Sequence, residues 1–143
     1  MSRLPLAGWS GIRPQCLPVP VLAYVGDAVF ELAVRCALVE SGYSRVGELH
    51  GEAVKRVSAA AQARALRRLS GFLTAEEEAV VRRGRNARPV HAPPRGTGQA
   101  DYRYSTALEC LVGYLYLKGD RTRLNEILGA VLAEEGSPVR PSF

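Results

Sequence analysis

The sequence predicts an all-α fold. Apolar residues recur at helical spacing in several segments, and no segment alternates apolar and polar residues as a half-buried strand does. Hydrophobic residues make up 47% of the 143 residues, which is enough to bury the core of one domain. We therefore expect one helical domain over residues 18–136. An irregular lead-in over residues 1–17 precedes it, and a tail over residues 137–143 follows it.

Two long helices are predicted in the first half of the chain. The first covers residues 20–39, because Pro20 suits a first turn, where its missing N–H would have no partner, and Gly42 suits the end of a helix. The second is expected over residues 46–69, with Ser44 as its cap and an apolar stripe along one side.

A shorter third helix begins with a capping box. The side chain of Thr74 is expected to accept a hydrogen bond from the backbone N–H of Glu77, whose carboxylate reaches back to the Thr74 backbone. We expect this helix to end at Arg83, with Gly84 as its stop. Residues 84–100 are rich in proline and glycine, so they are predicted to form a long loop.

The last part of the domain is predicted to hold two more helices, over residues 102–117 and 121–135. Gly119 favours the end of the first of them. Gly136 and Pro138 favour the end of the second.

Composition narrows the class of partner and compartment. The formal charge of +5 comes from 17 arginines and 2 lysines against 14 acids, a balance that suggests a polyanionic partner. The three cysteines form no CxxC pair and the two histidines have no ligand-spaced partner, which argues against a disulfide scaffold or a zinc site. No apolar run has the length of a signal peptide or a membrane span. We expect a soluble cytoplasmic protein that does not bind a membrane.

Two glycines inside predicted helices stand next to acids. Gly26 precedes Asp27, and Gly113 lies one turn after Glu109. Glycine in a helix interior costs about 1 kcal/mol relative to alanine, so both positions indicate a close helix crossing that would bring the two carboxylates together. Mg²⁺ suits such a pair, because it prefers oxygen ligands and commonly takes one or two carboxylates. The alternative is a solvated polar stripe, with glycines that serve packing alone.

A basic segment follows the third helix. Residues 82–103 hold six arginines and His91 against one acid, Asp101. Such a segment would follow a phosphate backbone. The alternative is a solvated loop.

Four stretches together resemble the ribonuclease III superfamily and, within it, the mini-ribonuclease III branch. GDAVFE at residues 26–31 resembles the signature helix of the ribonuclease III domain, and RRGRNA at residues 82–87 resembles a loop motif of the mini branch. LHGEAVKRVSAAAQA at residues 49–63 matches the same branch. YRYSTALECLVGYLYL at residues 102–117 resembles the second acidic helix. The resemblance covers residues 18–135 with the order and spacing of the motifs intact.

The resemblance implies a ribonuclease III-type helical endonuclease domain that forms a homodimer. In this family Asp27 and Glu109 would be the catalytic, metal-binding carboxylates, with Mg²⁺ as the cofactor or Mn²⁺ in its place. Full-length ribonuclease III enzymes have two further acids, at the positions that Ala23 and Thr106 occupy here, and the mini branch is similar to this chain in lacking them. The number of metal ions per site stays open.

The activity implied by the resemblance is cleavage of double-stranded RNA that leaves 5′-phosphate and 3′-hydroxyl ends. In the mini branch the expected substrate is precursor 23S ribosomal RNA. We expect no separate RNA-binding domain in a chain of this length, so we assign RNA contact to basic and polar residues of the 82–103 segment. These are Arg82, Arg83, Arg85, Asn86, Arg88 and Arg95. The alternatives are a catalytically silent, RNA-binding or ribosome-associated relative and a helical protein-interaction module.

Overall fold

The computed structural model describes residues 13–89 and 91–133, and the regular elements in these ranges are all helical. The order is a 3-10 turn (Pro14–Cys16), α1 (Val19–Glu40), α2 (Val46–Val57), α3 (Ala59–Arg68), α4 (Ala75–Asn86), α5 (Gln99–Lys118) and α6 (Arg121–Leu132). The predicted all-α class is confirmed. In the described ranges no helix combines the length and the apolar character that a membrane crossing requires.

Helix α5 is the centre of the fold. Its residues 110–115 are buried without interruption, and α1, α3 and α4 pack around it. A helix that is apolar on every side needs neighbours on every side. Helix α1 supplies the largest of these contacts through one stripe of residues spaced by four. The stripe consists of Leu22, Gly26, Phe30, Val34 and Leu38.

The predicted close crossing of α1 and α5 is present. A methyl group built on Gly26 would overlap the carbonyl oxygen of Glu109, and one built on Gly113 would overlap the carbonyl oxygen of Leu22. Both backbones are therefore in direct contact, and only a residue without a Cβ atom fits at either point.

The single helix predicted over residues 46–69 is wrong, because the chain turns a corner at Ser58. This residue is extended (ψ 152°), and its hydroxyl caps α3 by accepting the backbone N–H of Ala61 at 3.1 Å. Ser44 is not the cap of α2, whose N-cap is Arg45 without a side-chain hydrogen bond. The apolar stripe continues across the corner, so periodicity alone gave no sign of the break.

The predicted end of α4 at Gly84 is also wrong, since the helix continues to Asn86. Gly84 is buried, and a Cβ atom on it would lie 2.8 Å from the Cα atom of Ala107 on α5. It is a second point of close helix packing and not a stop. The capping box of Thr74 and Glu77 is confirmed.

The last two helices are confirmed, with small changes at their ends. Helix α5 begins three residues earlier than predicted and ends at Gly119, which has a φ of 84°. Helix α6 ends at Leu132, three residues before the predicted end at residue 135, because Ala133 is already extended (ψ 102°). The predicted end at Gly136 and Pro138 lies outside the described residues, as does the predicted tail.

The described part of the lead-in packs on the domain. Pro14 is buried, and Leu17 contacts the hydrophobic core. The prediction for residues 1–12 lies outside the described residues.

Candidate active site

Two carboxylates meet where α1 crosses α5. Asp27 follows the contact glycine of α1 and is exposed, whereas Glu109 lies one turn before the contact glycine of α5 and is largely buried. Both side chains line one cleft, and Asp27 is close enough for its charge to raise the pKa of Glu109. The structure thus brings together the two acids that the glycine positions single out.

The surroundings of the pair disfavour two negative charges. Burial raises the pKa of Glu109 from its ordinary value of 4.5 to about 8, and the negative charge of Asp27 adds to the rise. A hydrogen bond from Gln62 opposes it. In the metal-free protein at neutral pH, Glu109 therefore holds a proton that relieves the repulsion between the two acids.

A divalent cation would relieve the same repulsion with both acids ionised, and the residues present suit Mg²⁺. The pair offers hard oxygen donors, and Mg²⁺ commonly binds through one or two carboxylates and keeps several waters. Among residues 13–89 and 91–133, no group of three or more His, Cys, Asp and Glu side chains could hold a metal. Water and substrate phosphate would therefore supply the remaining ligands.

The pair lies in an open cleft with a volume of about 630 Å³. It is lined by residues of α1, α3 and α5, by the last residue of α2, and by Gly84 of α4 with the segment that follows that helix. Its polar lining beyond the two acids consists of Tyr24, Ser58, Gln62, Arg88, His91, Thr97, Tyr102, Arg103, Ser105 and Thr106. A cleft of this composition admits an anionic substrate next to two carboxylates.

The residues assigned to RNA contact are divided among three places. Arg82, Arg83, Arg85 and Asn86 lie on α4, so the placement of the RRGRNA motif in a loop is wrong. Arg88 is exposed and lines the cleft, whereas Arg95 is exposed in the same connecting segment but is not a lining residue.

Arg83 also has a structural contact. Its guanidinium donates to the backbone carbonyl of Leu17 at 3.0 Å and to that of Gln15 at 3.5 Å. It therefore ties the lead-in to α4. Arg82 and Arg85 line a separate groove between α3 and α4, which also contains Arg67.

Two polar residues of the cleft were missed in the sequence. Gln62 is only 3% exposed on α3, and its side-chain amide donates to Glu109 Oε2 at 3.5 Å. The signal for it was a glutamine inside the alanine-rich stretch SAAAQARA, at a position that the helix turns inward. Arg103 was counted only as part of the basic segment, yet α5 places it at the cleft.

The two positions where full-length ribonuclease III enzymes have further acids lie beside the same cleft. Ala23 and Thr106 both line it. The hydroxyl of Thr106 donates to the backbone carbonyl of Tyr102 at 3.0 Å, one turn earlier in its own helix. Neither residue adds a charge to the site.

Comparison with known proteins agrees with these features. A family model described as the ribonuclease III domain matches residues 20–120. The Mini-ribonuclease 3 of Symbiobacterium thermophilum is 50% identical over 118 residues, which are 82% of this chain and 90% of that protein. The Mini-ribonuclease 3 of a Thermoanaerobacter species is 45% identical over 108 residues, covering 76% of this chain and 75% of that protein. A crystal structure of a Fusobacterium nucleatum protein matches with a TM-score of 0.72 at 25% identity, covering 82% of this chain and 93% of that one.

Proposed function

The chain belongs to the ribonuclease III family and, within it, to the mini-ribonuclease III branch, and on this premise we propose that Asp27 and Glu109 are the catalytic carboxylates of a metal-dependent endoribonuclease. The proposed reaction is hydrolysis of phosphodiester bonds in double-stranded RNA. The observation that carries the assignment is the meeting of two carboxylates at a glycine crossing, inside a cleft with arginines on its lining.

Asp27 and Glu109 would hold Mg²⁺, or Mn²⁺ in its place. A bound cation of this kind supplies a water of lowered pKa as the nucleophile and polarises the phosphoryl oxygen. Glu109 would give up its proton on binding a cation, because a carboxylate must be ionised to act as a ligand. The products are expected to carry 5′-phosphate and 3′-hydroxyl ends.

Two arginines of the cleft are candidates for contact with the scissile strand. Arg88 and Arg103 line the cleft beside the carboxylates, and both are exposed. Duplex RNA is recognised through phosphate and 2′-hydroxyl contacts across its shallow minor groove, which suits guanidinium groups at the cleft. Arg82 and Arg85 on α4 and Arg95 in the connecting segment would extend this basic surface.

We propose that the active form is a homodimer formed through α1. The side of α1 that faces away from α5 exposes apolar residues in one stripe, including Val21, Leu32 and Val39. A twofold axis through this stripe would give two copies of the site, so that each strand of a duplex meets one of them. The substrate implied by the family resemblance is a stem of precursor 23S ribosomal RNA in the cytoplasm.

The test is cleavage of a long RNA hairpin by the full chain. We expect cutting within the stem in Mg²⁺, none in chelator, and none of a single-stranded RNA of the same length. The product ends are identified by labelling before and after phosphatase treatment. Binding of the stem without cutting in either Mg²⁺ or Mn²⁺ would refute the proposed nuclease activity. It would favour a catalytically silent relative, in which Ala23 and Thr106 stand in place of acids.

A further inference from the structure

Gln62 is a buried polar side chain in the wall of the candidate active site. Its amide nitrogen lies 3.0 Å from the backbone carbonyl oxygen of Val57 and 3.5 Å from Glu109 Oε2. The backbone carbonyl of Val57 can only accept, so the nitrogen of the amide must face it, and this fixes the orientation of the amide. Gln62 therefore links the end of α2 to a carboxylate on α5.

The other end of the same amide has no partner. Gln62 Oε1 is buried, and in the described part of the chain no donor reaches it. A buried acceptor without a hydrogen bond is unfavourable, and an apolar side chain of similar shape would avoid that cost. The bond of its nitrogen to Val57 serves the end of α2, whereas the contact of the same nitrogen with Glu109 connects this glutamine to the candidate site.

The corner between α2 and α3 places the amide of Gln62 for this contact. Val57 is the last residue of α2, so its backbone carbonyl accepts no hydrogen bond within that helix. The amide of Gln62 donates to this carbonyl and is held by it. Ser58 then starts α3, and Gln62 follows one turn later on the face turned towards α5. With its nitrogen fixed at the end of α2, the amide has one direction left for its second N–H, towards Glu109.

We propose that Gln62 is a positioning residue that holds the Glu109 carboxylate in its cation-binding orientation beside Asp27. At 3.5 Å the contact is long, and hydrogen bonds to ionised carboxylates are shorter and stronger, so it should tighten when a cation occupies the pair. Groups that orient a metal ligand typically change metal affinity 10- to 100-fold when they are removed. The inference rests on the proposed function, because it assigns Gln62 to the same site.

The test replaces the amide with an apolar group of similar size, in Gln62→Met. We expect Mn²⁺ binding to the full chain, measured by electron paramagnetic resonance, to weaken by about 10- to 100-fold. The kcat for hairpin RNA at saturating Mn²⁺ should fall while KM stays within about twofold, because RNA contact is left in place. The melting temperature should fall by only a few degrees, because loss of the bond to the Val57 carbonyl is offset by removal of a buried acceptor that has no partner.

Ser58→Ala is the matched control at the same corner. It removes the cap of α3 and should lower the melting temperature by a few degrees. Ser58 also lines the cleft, but its hydroxyl hydrogen-bonds the backbone of Ala61 and of Lys55 and not a carboxylate, so Mn²⁺ affinity should be unchanged. Should Gln62→Met fail to fold, Gln62→Asn, which keeps the amide but shortens its reach, is measured with the same expectation.

The outcomes separate this inference from the proposed function. Wild-type protein that neither binds Mn²⁺ nor cuts RNA would refute the function itself. Wild-type Mn²⁺ affinity and kcat in Gln62→Met would refute only the positioning role. Equal loss of affinity in Gln62→Met and Ser58→Ala would also refute it, because the stability of the corner would then be responsible.

Discussion

A proton on Glu109 allows two carboxylates to share the crossing of α1 and α5 without a cation. The folded protein raises the pKa of this group to about 8 through burial and through the charge of Asp27. The folded state therefore binds more protons than the unfolded state between about pH 4.5 and pH 8. The contribution of Glu109 to stability is fully present below the unfolded-state pKa of 4.5. It is lost as the pH rises through the folded-state pKa of about 8.

The metal-free protein should accordingly lose stability between pH 5 and pH 8.5. One pKa unit corresponds to about 1.4 kcal/mol, so the free energy of unfolding should fall by on the order of a few kcal/mol across this range. Urea unfolding in the presence of chelator at several pH values measures it. Glu109→Gln should remove most of the slope, and an equally steep slope in that variant would show that another group is responsible.

Two arginines near the site are expected to differ in role, Arg88 in RNA binding and Arg83 in stability. Arg88→Ala should weaken RNA binding and reduce the slope of log K against log salt by about one, because one phosphate contact is lost. Arg83→Ala should instead lower the melting temperature, since its guanidinium ties the lead-in to α4. Salt titrations of hairpin binding, with thermal unfolding of both variants, distinguish the two. A larger change of salt slope in Arg83→Ala than in Arg88→Ala would reverse these assignments.

At this scale the sequence identified some residues of the site and missed others. Asp27 and Glu109 could be selected because each stands near a glycine that a helix interior tolerates poorly. Gln62 differs from its neighbours in sequence only as a glutamine in an alanine-rich stretch, and its role, like that of Arg103, depends on which helix faces which. That information lies in the packing of α3 and of the segment after α4 against α5.

At the scale of elements, the glycines fix how closely the helices approach. Gly26→Ala would place a methyl group on the backbone of α5, so we expect a loss of roughly 1–3 kcal/mol or more in the free energy of unfolding. Forcing the helices apart should also weaken Mn²⁺ binding. Both are measured on the same protein, by urea unfolding and by electron paramagnetic resonance.

Gly129→Ala is the matched control for this substitution. Gly129 also lies inside a helix, but it is exposed and a methyl group there would contact nothing within 4 Å. It should raise stability by roughly 0.5–1 kcal/mol, as alanine does in a helix interior. A loss of similar size in both variants would contradict the close crossing.

Helix ends were less predictable than helix positions. Ser58 both ends α2 and caps α3, yet the apolar stripe passes through it unchanged. Gly84 resembles a helix stop in sequence, but Ala107 of α5 requires a small residue at that point. In both cases tertiary packing decided between two readings that local sequence supports equally.

At the scale of the whole molecule, α1 exposes a stripe of apolar side chains that no other part of the described chain covers. Leu32 is 50% exposed on this stripe. Leu32→Glu should leave the fold intact, because the side chain already faces solvent, but should convert the proposed dimer to a monomer. Sedimentation equilibrium measures the change. Val54→Glu is the control, because Val54 is 51% exposed on α2, and this variant should remain dimeric. If Leu32→Glu is also dimeric, the interface does not lie on this stripe of α1.

The central claim is that Asp27 and Glu109 carry out metal-dependent cleavage of duplex RNA. The most direct test is the single-turnover rate on a hairpin RNA in saturating Mg²⁺, for wild type, Asp27→Asn and Glu109→Gln, with hairpin affinity measured in parallel. Both variants should bind the hairpin with affinity within a fewfold of wild type but cut it at least about 10³-fold more slowly, because the proposed ligands of the cation are lost. Cleavage by either variant at the wild-type rate would contradict the assignment of this carboxylate pair as the active site.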